Sequence, residues 1–107
     1  MALLFSYGSL QRAEVQRAAF GRLLEGTQDA LVAFEFVPPA PGVSPHANVI
    51  RSSRNDSRVP GTAFEITDAE LAAADEYERR DGYVRIAATL ASGKSTWVYV
   101  DAGSGGR

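Results

Sequence analysis

The chain has 107 residues, 45% of them hydrophobic, which suffices for one domain with one core and not for two. Its 11 Lys plus Arg against 13 Asp plus Glu leave a net charge of -2, so no broad field exists to gather nucleic acid or an anionic membrane surface. The absence of cysteine removes disulfides, thiolate metal sites and a cysteine nucleophile together, and one histidine does not make a zinc site.

The N-terminal run Ala2-Leu3-Leu4-Phe5 stops at Ser6-Tyr7-Gly8-Ser9-Leu10 and reads as a buried strand with a sharp exit. Gly8, without a Cβ, can take a positive φ, let a ligand approach the backbone and leave neighbouring N–H groups to meet an anion or a carbonyl oxygen. An ordinary strand-to-helix turn is the plainer reading of the same residues. Gln11 to Glu25 reads as a helix, with Val15, Ala18, Ala19 and Leu23 or Leu24 at helical spacing, Arg12, Glu14, Gln16 and Arg17 mostly between them, and Gly26 as its stop. Starting directly after the loop, it would turn free N–H groups and its positive dipole end toward a bound carboxylate, unless Ser9 or a nearby polar side chain simply caps it.

Asp29 to Val37 is β-rich and reads as one or two strands. Pro38 to Pro45 holds four prolines in eight residues and forms a stiff, extended surface loop. His46 to Arg51 is a short strand on which His46 and Asn48 share a side; they could line a pocket, although a hydrogen-bonded or exposed role is commoner. Ser52 to Arg58 is a polar turn, and Val59 to Ile66 is the next strand, with Pro60 at its start.

Thr67-Asp68-Ala69-Glu70 is a capping box that starts a helix near Asp68. Leu71, Ala74 or Asp75, and Glu78 then fall on one inward stripe, while Glu70 and Glu76 lie toward solvent. A carboxylate at the end of such a stripe is costly unless paired or used, which makes Glu78 a candidate for proton transfer. A salt bridge to Arg79, Arg80 or Arg85, or a frayed helix end, is the alternative. Tyr83 to Leu90 and Ser95 to Val100 form an antiparallel hairpin around Ala91-Ser92-Gly93-Lys94. No apolar run reaches the roughly 18 residues of a membrane span. The first residues lack the pattern of a secretory signal, so the expected location is cytoplasmic. About six short strands and two helices without regular alternation give an α+β domain.

The Tyr7-Gly8-Ser9 loop after the first strand, the helix end Asp75-Glu76-Tyr77-Glu78 and the later Tyr83-Val84-Arg85 together resemble the gamma-glutamylcyclotransferase-like family. The likeness runs from Leu4 to about Val100. With Leu10 after the loop and Arg79 after the acid, it leans toward the short bacterial and γ-glutamylamine cyclotransferase-type branches. It implies a small, mostly antiparallel β-barrel of about six strands with two helices. The expected single domain runs over residues 1–101 and is followed by a flexible tail, 102–107, which has no apolar anchor.

The resemblance also implies a reaction. The α-amine of a γ-glutamyl substrate attacks its own γ-carbonyl and releases 5-oxoproline and an amine, with Glu78 as general base and then acid. Tyr7, Gly8, Ser9 and Leu10 would bind the substrate, and Tyr83 would position it or hold Glu78 by its hydroxyl. A small-molecule γ-glutamyl compound is the expected partner, with no metal, no cofactor, no nucleic acid and no membrane, and the protein would be a monomer or homodimer. A second class is a binding or regulatory domain that keeps the pocket without the reaction. A third, weaker one is a glycosidase-like pair of Glu78 with Asp75 or Glu65.

Overall fold

The continuous apolar run of the first residues sets up the centre of the molecule. In a computed structural model describing residues 1–40, 42 and 47–102, Ala2–Ser6 is strand β1. It is followed by a single 3-10 turn at Ser9–Gln11, helix α1 (Ala13–Phe20), strands β2 (Gly26–Val32), β3 (Phe34–Val37), β4 (Asn48–Arg51) and β5 (Arg58–Ile66), helix α2 (Asp68–Arg79), and strands β6 (Tyr83–Thr89) and β7 (Ser95–Asp101). The readings for Pro41, Pro45 and His46, and for the tail beyond Ala102, lie outside the described residues.

Five strands form one sheet in the order β2-β5-β1-β7-β6, and β3 pairs with β4 in a separate ribbon. β1 lies at the centre, antiparallel to β5 (Ala2↔Ile66 to Ser6↔Thr62) and parallel to β7 (Leu4↔Trp97, Phe5↔Val98). Because side chains alternate across a strand, the one core expected for this length is divided into two apolar layers, one on each face of the central strands. Leu4, Phe64, Ile66 and Tyr99 face one side with Leu10, Val15, Leu71 and Ala74 of the helical layer. Phe5, Val59, Ala63, Val98 and Val100 face the other with Leu31, Phe34, Val49 and Leu90. Gly61 lets β5 lie tightly on β1: a Cβ there would come within 2.2 Å of the Ser6 carbonyl oxygen.

The fold is α+β, but the expected barrel is not closed. No ladder joins the sheet edges β2 and β6 among the described residues: β2 meets the turn after β6, where Leu31 bridges Leu90, the Ala91 N–H donates to the Ala30 carbonyl at 2.8 Å and the Ser92 hydroxyl donates to Asp29 at 2.6 Å. The strand count is seven because the apolar stretch through Val37 is broken at Ala33, whose φ of 63° is left-handed. That conformation costs a non-glycine residue roughly 1–2 kcal/mol. Two backbone hydrogen bonds hold it, Ala33 N–H to the Ser57 carbonyl at 2.8 Å and Ser52 N–H to the Ala33 carbonyl at 2.9 Å. One residue thus carries the chain from the large sheet into the ribbon.

The first helix also differs from expectation. A 3-10 turn comes between the loop and α1, and α1 ends at Gly21, whose φ of 73° closes it with the Gly21 N–H on the Arg17 carbonyl. Gly26 begins β2 instead of stopping the helix. Arg22, freed from the helix, reaches across to Glu70 through both Nε and Nη2, at 2.6 and 2.9 Å. α2 starts as read, with the Thr67 side chain accepting from the Glu70 N–H at 3.0 Å and Glu70 accepting from the Thr67 N–H at 2.9 Å. Among the described residues no helix is long and apolar enough to cross a membrane.

Candidate active site at the end of the central strand

β1 delivers Ser6 to Leu10 to one end of the sheet. Gly8 has a φ of -137° there, so the expected left-handed conformation is absent. Its N–H is also occupied, donating to the Ser6 hydroxyl at 3.2 Å. Closing the 3-10 turn engages the Gly8 and Ser9 carbonyls with the Gln11 and Arg12 N–H groups at 3.1 and 2.9 Å. The donors left over are the N–H groups of Ser9 and Leu10, which have no acceptor among the described residues, as the geometry of a first turn requires. A Cβ at Gly8 would meet nothing within 4 Å, so this bend borders open space.

The turn is held from below. The Leu10 side chain is buried in the helical core, and the buried Gln16 amide donates to the Leu10 carbonyl and accepts from the Leu24 N–H, both at 2.9 Å. Opposite it stands the end of α2, where Leu71, Ala74 and Glu78 form the inward stripe and Glu78 is only 8% exposed. After α2, Gly82 takes a φ of 78° and turns the chain directly into Tyr83.

These segments enclose a cavity of about 210 Å³. All six expected site residues, Tyr7, Gly8, Ser9, Leu10, Glu78 and Tyr83, line it, although Tyr7 and Glu78 come from opposite parts of the chain. Arg12, Asp81, Tyr99 and Ser6 line it too and were not singled out from the sequence. Arg12 falls among the polar positions of the predicted helix. Asp81 lies three residues past Glu78 with no local pattern of its own, and the alternation of β7 alone does not say that Tyr99 meets the loop.

Burial, and secondarily the charge of Asp81, pushes the Glu78 carboxyl up to about 7. The anticipated ion pairs go elsewhere. Arg79 pairs with Glu76, and Arg85 pairs with Asp75 at 3.1 Å while stacking on Trp97 at 4.3 Å. Among the described residues no side chain pairs with Glu78. The tyrosines around it are held by the backbone and by Asp75. Tyr7 donates its hydroxyl to the Tyr99 carbonyl at 2.7 Å, Tyr99 donates to Asp75 at 2.7 Å, and Tyr83 donates to the Ala47 carbonyl. Burial raises all three phenols, Tyr83 to about 12, so they remain neutral donors at ordinary pH.

Tyr83, which donates its hydroxyl to the Ala47 carbonyl, also feels the charge of Glu78, which adds to burial in raising its phenol. Asp75 and Glu65 do not line the cavity, so neither of the expected glycosidase-like pairings with Glu78 forms there. Asn48 is buried and accepts from the Asp101 N–H at 3.0 Å, fixing the end of β7 instead of facing the cavity. Among the described residues no group of three or more His, Cys, Asp or Glu side chains could hold a metal ion.

The family model described as gamma-glutamyl cyclotransferase, AIG2-like, matches residues 4–105. No curated protein sequence matches the chain. Among solved structures, an Arabidopsis thaliana protein determined in solution superposes with a TM-score of 0.79 at 19% identity, over 96% of this chain and 63% of its own. A Homo sapiens protein of uncharacterized function gives 0.71 at 21% identity, over 94% of this chain and 66% of its own. A gamma-glutamyl cyclotransferase gives 0.65 at 18% identity, over 94% and 66%. At these identities the likeness shows a shared fold, and the chain spans less than two thirds of the Arabidopsis protein's length.

Proposed function

The chain belongs to the gamma-glutamyl cyclotransferase, AIG2-like family, and from that membership we propose that it converts a small γ-glutamyl compound into 5-oxoproline and a free amine. The observation that carries this reading is the Glu78 carboxylate, buried, unpaired among the described residues, and in one cavity with the Tyr7–Leu10 bend. The cavity, about 210 Å³ and open on one side, has room for a small polar headgroup.

The substrate supplies its own nucleophile, so most of the acceleration comes from holding a folded conformer in which the α-amine faces the γ-carbonyl. Glu78 takes a proton from the α-ammonium, and the freed nitrogen bonds to the γ-carbon. The N–H groups of Ser9 and Leu10 supply donors for the carbonyl oxygen as it gains charge, or for the substrate carboxylate. The carbon then releases the old amide nitrogen. Glu78 carries protons in turn from the attacking nitrogen to the departing one, leaving one N–H on the five-membered ring and two added protons on the amine. Neutral Tyr7 and Tyr83 wall the cavity, with Tyr83 positioning the substrate, and a carboxyl near 7 both accepts and returns a proton near neutrality.

The test is 5-oxoproline release from a panel of γ-glutamyl amino acids and γ-glutamyl amines. A Glu78→Gln variant that folds and still binds the reactive compound should turn over about 10²–10⁴-fold more slowly. Full-rate turnover by that variant, or no 5-oxoproline from any compound with folded wild-type protein, overturns the proposal.

A further inference from the structure

β1 carries one polar side chain, Ser6, at the end that borders the cavity, and it is only 6% exposed. Alternation along the strand puts Ser6 on the same face as Leu4, the face that shares a core with Leu71 and Ala74 of α2. Glu78 continues that α2 stripe by one turn. Ser6 and Glu78 therefore line the cavity from its strand wall and its helix wall.

The Ser6 hydroxyl is half used. Its oxygen accepts from the Gly8 N–H at 3.2 Å, which fixes Oγ at the foot of the bend, while its own proton has no acceptor among the described residues. The phenols around the cavity are committed, Tyr7 to the Tyr99 carbonyl, Tyr99 to Asp75 and Tyr83 to the Ala47 carbonyl, and the Ser9 side chain is exposed. A buried donor without an acceptor costs free energy that a ligand oxygen would relieve, and an O–H whose oxygen already accepts an N–H is the stronger donor.

We propose that Ser6 is a further catalytic residue whose hydroxyl donates to the γ-carbonyl oxygen of the ligand, in a hydrogen bond that tightens as the oxygen gains charge. This role rests on the γ-glutamyl reading of the cavity. Both nitrogens that Glu78 serves are bonded to the γ-carbon, so the oxygen on that carbon is the acceptor closest to the reacting centre. A carboxylate in its place would set a second negative charge against Glu78 in a buried site. The carbonyl π pair moves onto the oxygen as the ring nitrogen bonds to carbon and returns as the old amide nitrogen leaves, and the proton stays on Oγ throughout. The Ser9 and Leu10 N–H groups are thereby left for the substrate carboxylate.

The probes are 5-oxoproline and cyclopentanecarboxylate, which keeps the ring size and the carboxylate but lacks the carbonyl. They are titrated into wild type, Ser6→Ala and Ser6→Thr and followed by calorimetry or NMR, with circular dichroism as the check on folding. Wild type should prefer 5-oxoproline. Ser6→Ala should bind it about tenfold more weakly with cyclopentanecarboxylate unchanged, and Ser6→Thr, which keeps the hydroxyl, should recover most of the loss. Ser6→Cys, a similar shape with a much weaker donor, gives the same comparison if Ser6→Ala does not fold. On a γ-glutamyl compound that wild type turns over, Ser6→Ala should lower kcat/KM about 10²-fold, beyond its loss of affinity for 5-oxoproline, because the donor matters most when the oxygen is charged. Unchanged 5-oxoproline affinity in Ser6→Ala overturns the assignment, as does an equal loss of both ligands or a wild type that binds neither. A Ser6-dependent preference without 5-oxoproline release from any compound would sink the cyclotransferase reading and leave the carbonyl contact in place. Release at an unchanged kcat/KM in Ser6→Ala would do the opposite.

Discussion

Glu78 concentrates the chemistry and the cost of the fold in one side chain. Its carboxyl titrates near 4.5 when exposed and is pushed up to about 7 in the folded chain, so the native state binds this proton more tightly than the unfolded one. Stability is then favoured below about pH 4.5, falls as the pH rises toward 7, and carries the whole penalty of the buried charge above that. Glu78→Gln, which cannot ionise, should match wild type near pH 4 to 5 and exceed it at pH 8. The gain should be on the order of 1–3 kcal/mol, read as a melting-temperature gap that opens with pH. Activity should move the opposite way. As a base Glu78 must be ionised, so kcat/KM should fall on the acid side with a midpoint near 7. A pH profile without that limb, or a gap that does not open, would remove Glu78 from the proposed role. Such a residue was legible in the sequence because helical spacing from Leu71 turned it inward. Arg12 was not legible, since a cation two residues past a turn has no periodicity to betray that it faces a cavity.

Among the elements, α2 and the β1–β5 pair hold the site in different ways and can be separated by mutation. Thr67→Ala removes half of the capping box at the end of α2 opposite to Glu78. It should cost about 1 kcal/mol, roughly 4–8 °C in melting temperature, without changing ligand affinity. Gly61→Ala drives a methyl to within 2.2 Å of the Ser6 carbonyl and 2.6 Å of Phe5, both beside the cavity. It should cost about 1–3 kcal/mol and also weaken binding, because β1 must shift. Calorimetric melts paired with 5-oxoproline titrations distinguish the two. The elements were read best where a side chain announces a boundary, as Thr67 and Glu70 do for α2. α1 was read too long because apolar residues continue at helical spacing through Leu24. Composition does not reveal that Gly21, and not Gly26, is the glycine that takes a positive φ.

At the scale of the whole molecule, the two halves of the site meet because β1 is central and is flanked by β5, which feeds α2, and β7, which carries Tyr99. That meeting is a property of long-range pairing and could not be read from local pattern; the family resemblance anticipated it, while the unclosed sheet and the parallel β1–β7 pair went unforeseen. A strand paired on both sides should open last. Hydrogen exchange should find the Leu4 and Phe5 amides among the slowest and the outer strands β2 and β6 faster. Comparable exchange across all five strands would mean that the bend after β1 is not seated on a rigid support. Ala33 has a wider consequence. Since a single torsion separates β2 from β3, the corner has no spare length, and one added residue there would exchange the two sides of β3. Glu35 would then be sent toward the interior now filled by Phe34, and Phe36 would be taken off the edge of Tyr7. Insertions at this corner would therefore be felt in the ligand cavity itself.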